Sequence, residues 1–140
     1  MINCMLTLLV VVGVAGWYGP GFEGQPARNG KIFDSSKFTF AANYIDGNEI
    51  PDGLPYMVCT GKPVLAWWPH LGGWFVLDDV PPRCIVARWT DTGSFGKWGR
   101  KVDLSKAAFI ALTGNEHIGL INVYVIKLPP PFLDYSWGMI

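Results

Sequence analysis

Charge is scarce in this chain. Lys, Arg, Asp and Glu together make 16% of its 140 residues, and eleven bases balance eleven acids to a formal net charge of zero. That balance lacks the basic footprint by which proteins hold nucleic acid or an anionic membrane surface, so no nucleic-acid partner is expected. Histidine is scarcer still, with only His70 and His117. Three cysteines, at 4, 59 and 84, form no CxxC pair and no Cys/His cluster. Such a set makes a poor metal site, and neither a metal nor another cofactor is expected. No apolar run is long enough to span a bilayer as a helix; the longest, "MLTLLVVVGVA", is too short.

What is abundant is apolar, aromatic and turn-forming. Half the residues are hydrophobic, seven are Trp, seventeen are Gly and eleven are Pro. Frequent Gly and Pro disfavour long helices and favour short strands joined by turns. The length suits one domain with a real core.

Residues 1–11 form an apolar N-terminal segment that reads as a signal peptide, an anchor or a strand extension. Gly13-x-Ala15 is a tolerable cleavage site, yet no Lys or Arg precedes the run. Its valines suit a buried strand equally well. The glycine-rich stretch "GWYGPGFEGQPARNGKIFD" follows as a loop. "KFTFAANYI" reads as a short extended piece, and "EIPDGLPYMVCT" as a turn and then a strand. "VLAWWPHLGGWFVLDD" reads as a hairpin. "PPRCIVARWTD" reads as a strand with Ile85, Ala87 and Trp89 on one face, and "DTGSFGKWGRK" as a second glycine-rich loop. "DLSKAAFIALTG" is the one clear helix, over about residues 104–112. Leu104, Ala107, Ala108, Ala111 and Leu112 form its apolar stripe, with Asp103 or Ser105 as N-cap and Gly114 at its end. "GLINVYVIKL" is the last strand. Residues 129–140 are a Pro-rich apolar tail.

The segments "GVAGWYGPGFEGQPARNGKIFD", "ARWTDTGSFGKWGRKVDLSKAAFIAL" and "GLINVYVIKL" occur in this order. Together they resemble the double-psi β-barrel domain of rare-lipoprotein-A-like proteins, which is related to expansins, barwin-type proteins and a membrane-bound lytic transglycosylase family. The resemblance spans residues 12–128 and implies a mainly β fold. The fold it implies is a six-stranded double-psi barrel with one short principal helix, here expected to be interrupted by a long aromatic hairpin insertion over 61–82. It implies peptidoglycan or a related polysaccharide as ligand. In active members it implies cleavage without water, leaving a 1,6-anhydro sugar. It also implies a secreted, periplasmic or envelope setting, with a phage virion as the alternative.

Glycan cleavage needs a carboxylic acid to protonate the leaving oxygen. The candidates are Asp103, Asp91 and Asp34. The resemblance casts Asp103 as the acid and pairs it with Asp91 in a glycan groove. A helix start at Asp103 would instead lower its pKa, and only burial or a neighbouring carboxylate would raise it. The plainer roles are an N-cap at 103 and an Asx-turn at 91. Two positions depart from the family pattern: Lys31 stands where it carries Glu, and Asn43 where it carries His. A Lys31 ammonium turned into the groove would hold Asp91 and Asp103 ionised. Glu23, in "GFEG", offers a substitute carboxylate.

Trp17, Tyr18 and Glu23 in the opening segment, and Trp67, Trp68 and Trp74 in the insertion, are candidate glycan contacts. The glycines of the opening segment allow close approach to a sugar or merely a tight turn. The insertion's aromatics can stack on sugar rings, pack on the barrel or, with the apolar tail, meet a protein partner. Cys59 and Cys84 flank the insertion and either pair in an oxidising compartment or remain two buried thiols. Two activities therefore stand side by side: a weakened lytic transglycosylase, and a non-catalytic glycan-binding or structural subunit.

Overall fold

A computed structural model describes residues 9–61, 65–68, 73–76, 83–93, 100–128 and 138–139. Strands dominate it: β1 (Leu9–Tyr18), β2 (Thr39–Ala41), β3 (Pro55–Cys59), β4 (Leu65–Trp68), β5 (Gly73–Val76), β6 (Cys84–Asp91), β7 (Arg100–Ser105), β8 (Ile121–Lys127) and β9 (Gly138–Met139). Among the described residues one α-helix, α1 (Lys106–Thr113), lies between β7 and β8.

The main sheet runs β2-β7-β1-β8-β3-β6, and a further β2–β6 pairing closes these six strands into a ring. Closure removes free edges among them, which a short β-rich chain otherwise leaves exposed. Two of the pairings are parallel, β1 with β7 and β2 with β6; the rest of the ring is antiparallel. β9 adds to β6 through Val86 and Ile85, so the C-terminal tail returns to the sheet. Among the described residues β4 and β5 pair with each other, as the hairpin expected within 61–82.

Period-two alternation fills the ring. Ala15, Phe40, Val58, Ile85, Ala87, Trp89, Val102, Leu104 and Val125 are all fully buried in one cluster. Ile85, Ala87 and Trp89 share a face, as the pattern of β6 predicts. Trp89 is the largest fully buried side chain among the described residues, and its indole N–H donates to the Ala42 carbonyl (2.8 Å) and the Asp91 carbonyl (3.1 Å). A buried indole thus keeps its polar handle satisfied.

The helix corrects two expectations. Asp103 does not cap it, and Leu104 does not belong to it; both lie on β7. Ser105 is the N-cap, its Oγ accepting from Ala108 N (3.3 Å), and Gly114 closes the end in the left-handed region at φ 78°. The helix buries Ala108, Phe109 and Leu112. Ser105 Oγ also accepts from Thr39 N (3.2 Å) and donates to Lys37 O (2.6 Å), so one hydroxyl ties helix start, β2 and the preceding loop.

Cys59 and Cys84 are register partners on β3 and β6, with Cα atoms 4.1 Å apart, and they form a disulfide. Of the two readings left open by the sequence, pairing is the one adopted. The insertion opens and closes at adjacent points of two paired strands, and that adjacency brings the thiols within bonding reach. Cys4 and His70 lie outside the described residues.

Candidate functional site

Three strands bring the key carboxylates into one row. Ala41 of β2 is the register partner of Asp103 on β7 and of Asp91 on β6. Gly16 of β1 pairs with Asp103 from the other side. The row therefore reads Gly16, Asp103, Ala41, Asp91: small, acid, small, acid. Val102 and Leu104 face the core, so Asp103 between them faces outward, away from the ring interior. Two strand spacings separate the carboxylate-bearing Cα atoms, roughly 9–10 Å. Gly16 and Ala41 leave room beside them. A Cβ at Gly16 would stand 3.4 Å from Asp103 Oδ1 and 3.2 Å from Arg100 Nη1.

The row lies at a cleft of about 460 Å³ lined by Tyr18, Phe22, Asp91, Gly93, Arg100 and Asp103, among others. Asp103 is 9% exposed. Burial pushes its carboxyl above the ordinary carboxylate range, and the Arg100 guanidinium opposes that rise. The depression expected from a helix start does not occur, because Asp103 sits on β7, two residues before the Ser105 cap. Burial, rather than a second carboxylate, raises the Asp103 pKa.

Arg100 is the residue the sequence did not flag. Its Nη1 lies 3.1 Å from Asp103 Oδ1. Three residues apart on a regular strand, the two side chains would point to opposite faces. A bulge resolves this: Val14 pairs with Arg100 but Ala15 pairs with Val102, so two residues of β7 match one step of β1. The extra residue, Lys101, turns Arg100 onto the face of Asp103. Gly13 is the available signal, since a Cβ there would meet Lys101 Cγ at 2.5 Å. A second register shift, between Phe40 and Ala41, brings Asp91 level with Ala41.

Asp91 is not an Asx-turn. Its Oδ1 accepts from Arg28 N and Thr92 N, both at 2.9 Å, and Tyr18 OH donates to its Oδ2 at 3.4 Å. Tyr18 stacks on Phe33 (centroids 4.8 Å apart) and meets Phe22 edge-on (5.7 Å). Burial, then Asp91, raises the Tyr18 phenol far above its usual range, so it remains a hydrogen-bond donor at neutral pH. Trp17 is half-buried against the core, with Lys106 Nζ 5.8 Å from its ring centre.

The opening segment resolves as a folded loop. Ala27 N donates to Lys31 O (2.7 Å), Gly24 N to Phe33 O (3.0 Å) and Phe33 N to Gln25 O (2.8 Å). Gly30, at φ 88°, makes the tip possible. Both carboxylate oxygens of Glu23 accept from Ser35 N at 3.1 Å, so Glu23 braces this loop. The tip then seats on the end of β6: Asn29 N donates to Thr90 O (3.1 Å) beside the Arg28–Asp91 bond. Asn43 Oδ1 accepts from Gly93 N (2.8 Å) and fixes the opposite lip of the cleft.

Asp34 and Lys31 do not join the carboxylate row. Both line a second pocket, on the other side of the seated tip, with Lys37, Thr39, Arg88 and Thr90. Asp34 is held below the ordinary carboxylate range by Ser36, whose Oγ and N donate to it at 2.6 and 2.9 Å. The cation beside the row is thus Arg100 and not Lys31. Trp67, Trp68 and Trp74 lie on the β4–β5 hairpin, and their side chains are outside the described residues.

No group of three metal-ligating side chains occurs among the described residues, and none of their helices is long and apolar enough to cross a membrane. No protein-family model matches the chain, and no curated protein matches it.

Proposed function

We propose that the Asp103–Asp91 cleft is a cell-wall glycan site of the lytic-transglycosylase type, on a double-psi β-barrel. What carries the reading is one observation: an outward-facing carboxyl, buried enough to hold its proton above the ordinary carboxylate range, in a cleft with a second carboxylate and two aromatic rings. The two parallel pairings, β1 with β7 and β2 with β6, support the double-psi topology. The Cys59–Cys84 bridge supports an oxidising setting, such as the periplasm, cell surface or virion.

The chemistry follows from the groups present. Asp103 donates its proton to the glycosidic oxygen as the bond from that oxygen to the anomeric carbon breaks. The electron pair leaves with the protonated oxygen, and positive charge spreads over the sugar ring. The Asp91 carboxylate, across Ala41, stabilises that charge. The sugar's own 6-hydroxyl then attacks the anomeric carbon and returns its proton to Asp103, closing the anhydro ring. Arg100 steadies the carboxylate between the two proton transfers. Tyr18 and Phe22 offer ring faces and edges to the glycan.

Binding without cleavage is the second reading. The Arg100–Asp103 pair favours it, because a guanidinium 3.1 Å from the carboxylate favours the ionised form. Digestion of purified sacculi separates the two. The wild type should release anhydro-muropeptides, and Asp103→Asn should release none while still pelleting with sacculi. Pelleting by both proteins with no products from either selects the binding role. Absence of pelleting and products alike removes the glycan reading altogether.

A further inference from the structure

We propose that the second pocket, beyond the seated loop tip, binds an oxyanion group, either a carboxylate or a phosphate. It measures about 380 Å³ and lies over the β2–β6 parallel pair. Phe40, Ala87 and Trp89 face the core, so Thr39, Arg88 and Thr90 alternate outward to form its floor. The loop supplies Lys31, Asp34 and Lys37 as its wall. Three bases against one acid leave the pocket cationic in a chain that is neutral overall.

Two buried hydroxyls lie among the residues of this same pocket. Thr39 and Thr90 are each 7% exposed, and the Oγ1 of each has no hydrogen-bond partner among the described residues. A buried hydroxyl without a partner costs stability and calls for an explanation. Here both belong to one pocket and both can donate to an oxygen-rich anion. Arg88 is anchored by donation from Nη1 to Gly53 O (2.9 Å), a contact between two lining residues. That bond orients the guanidinium, a group suited to carboxylate and phosphate. Asp34 Oδ1 accepts from Ser36 N and Ser36 Oγ, so part of its acceptor capacity is turned to the loop itself. None of these groups belongs to the Asp103–Asp91 row, and the two clefts are separate sites.

The test is an amide NMR titration of the oxidised full chain with inorganic phosphate and, separately, with acetate, against chloride at equal ionic strength. The expected result is saturable shifts at Asn29, Lys31, Thr39 and Thr90 for at least one of the two anions. The tighter anion identifies the ligand as phosphate- or carboxylate-bearing. Thr90→Val, which removes the hydroxyl at nearly constant shape, should weaken that anion at least fivefold and leave the melting temperature equal or higher. Lys31→Gln, on an exposed residue, should weaken it by a similar factor and serves alone if the Thr90 variant misfolds. Shifts no different from chloride overturn the proposal. So does saturable binding that survives Lys31→Gln at full strength.

Discussion

Reduction of the Cys59–Cys84 bridge tests how the insertion is tolerated. The two cysteines are 25 residues apart, and the described strands between them, β4 and β5, pair outside the ring. Without the bridge, folding must close that whole segment from an open chain. In the chain-entropy account a cross-linked loop of 25 residues removes about 3.5 kcal/mol of unfolded-state freedom. A 140-residue domain gains roughly 0.3 kcal/mol/K of entropy on unfolding near its midpoint. The quotient is a fall of about 12 °C in melting temperature. The protein should be unfolded with reductant and refolded in it, because Cys59 is fully buried. Calorimetry of oxidised and reduced samples then reads the shift. Urea unfolding should show a steeper slope for the reduced form, whose unfolded chain exposes more surface. A loss of under ~3 °C with unchanged slope would refute the reasoning, since closing the insertion would then not be the bridge's contribution.

Four further outcomes follow from named contacts. Because Asp103 is favoured protonated in the fold, its stabilising contribution is present below about pH 4 and is lost as pH rises through its raised pKa; the melting temperature of Asp103→Asn relative to wild type should therefore climb between pH 4 and 7, and a flat difference would count against a raised pKa. Any glycan cleavage should decline over the same rise, as the acid loses its proton. Ser105→Ala removes a hydroxyl serving Thr39 N, Lys37 O and Ala108 N and should cost about 2–3 kcal/mol in urea unfolding; a loss below ~1 kcal/mol would show that these three bonds are replaced. Gly16→Val drives methyl groups at Arg100 and Asp103 and should cost about 1–3 kcal/mol, with sacculus release falling in parallel; unchanged stability would mean the cleft floor yields freely.

The sequence by itself determined strands such as β3, β6 and β8, because period-two alternation and β-branched content are local properties, whereas β7 read as a loop running into the helix start and β9 as part of the tail. Ile85, Ala87 and Trp89 read as one face from the chain alone, and so they lie. The helix was legible from its alanine-rich stripe and Gly114, but its start was not. Asp103 and Ser105 are both good caps, and the choice fell to Ser105 because β7 continues through it in pairing with β1. The pairing of Asp91 with Asp103 came only through resemblance. Its physical basis is Ala41, which meets one neighbour on each side and is invisible until strand order is known. Arg100 and Lys31 show the same limit. A lysine that stood near the acids by motif lines a different pocket, while an arginine on the wrong parity reaches Asp103 through a bulge. Local sequence decides which residues extend and which curl. Register, bulges and the seating of a loop tip are long-range pairings, and they decided which charges met.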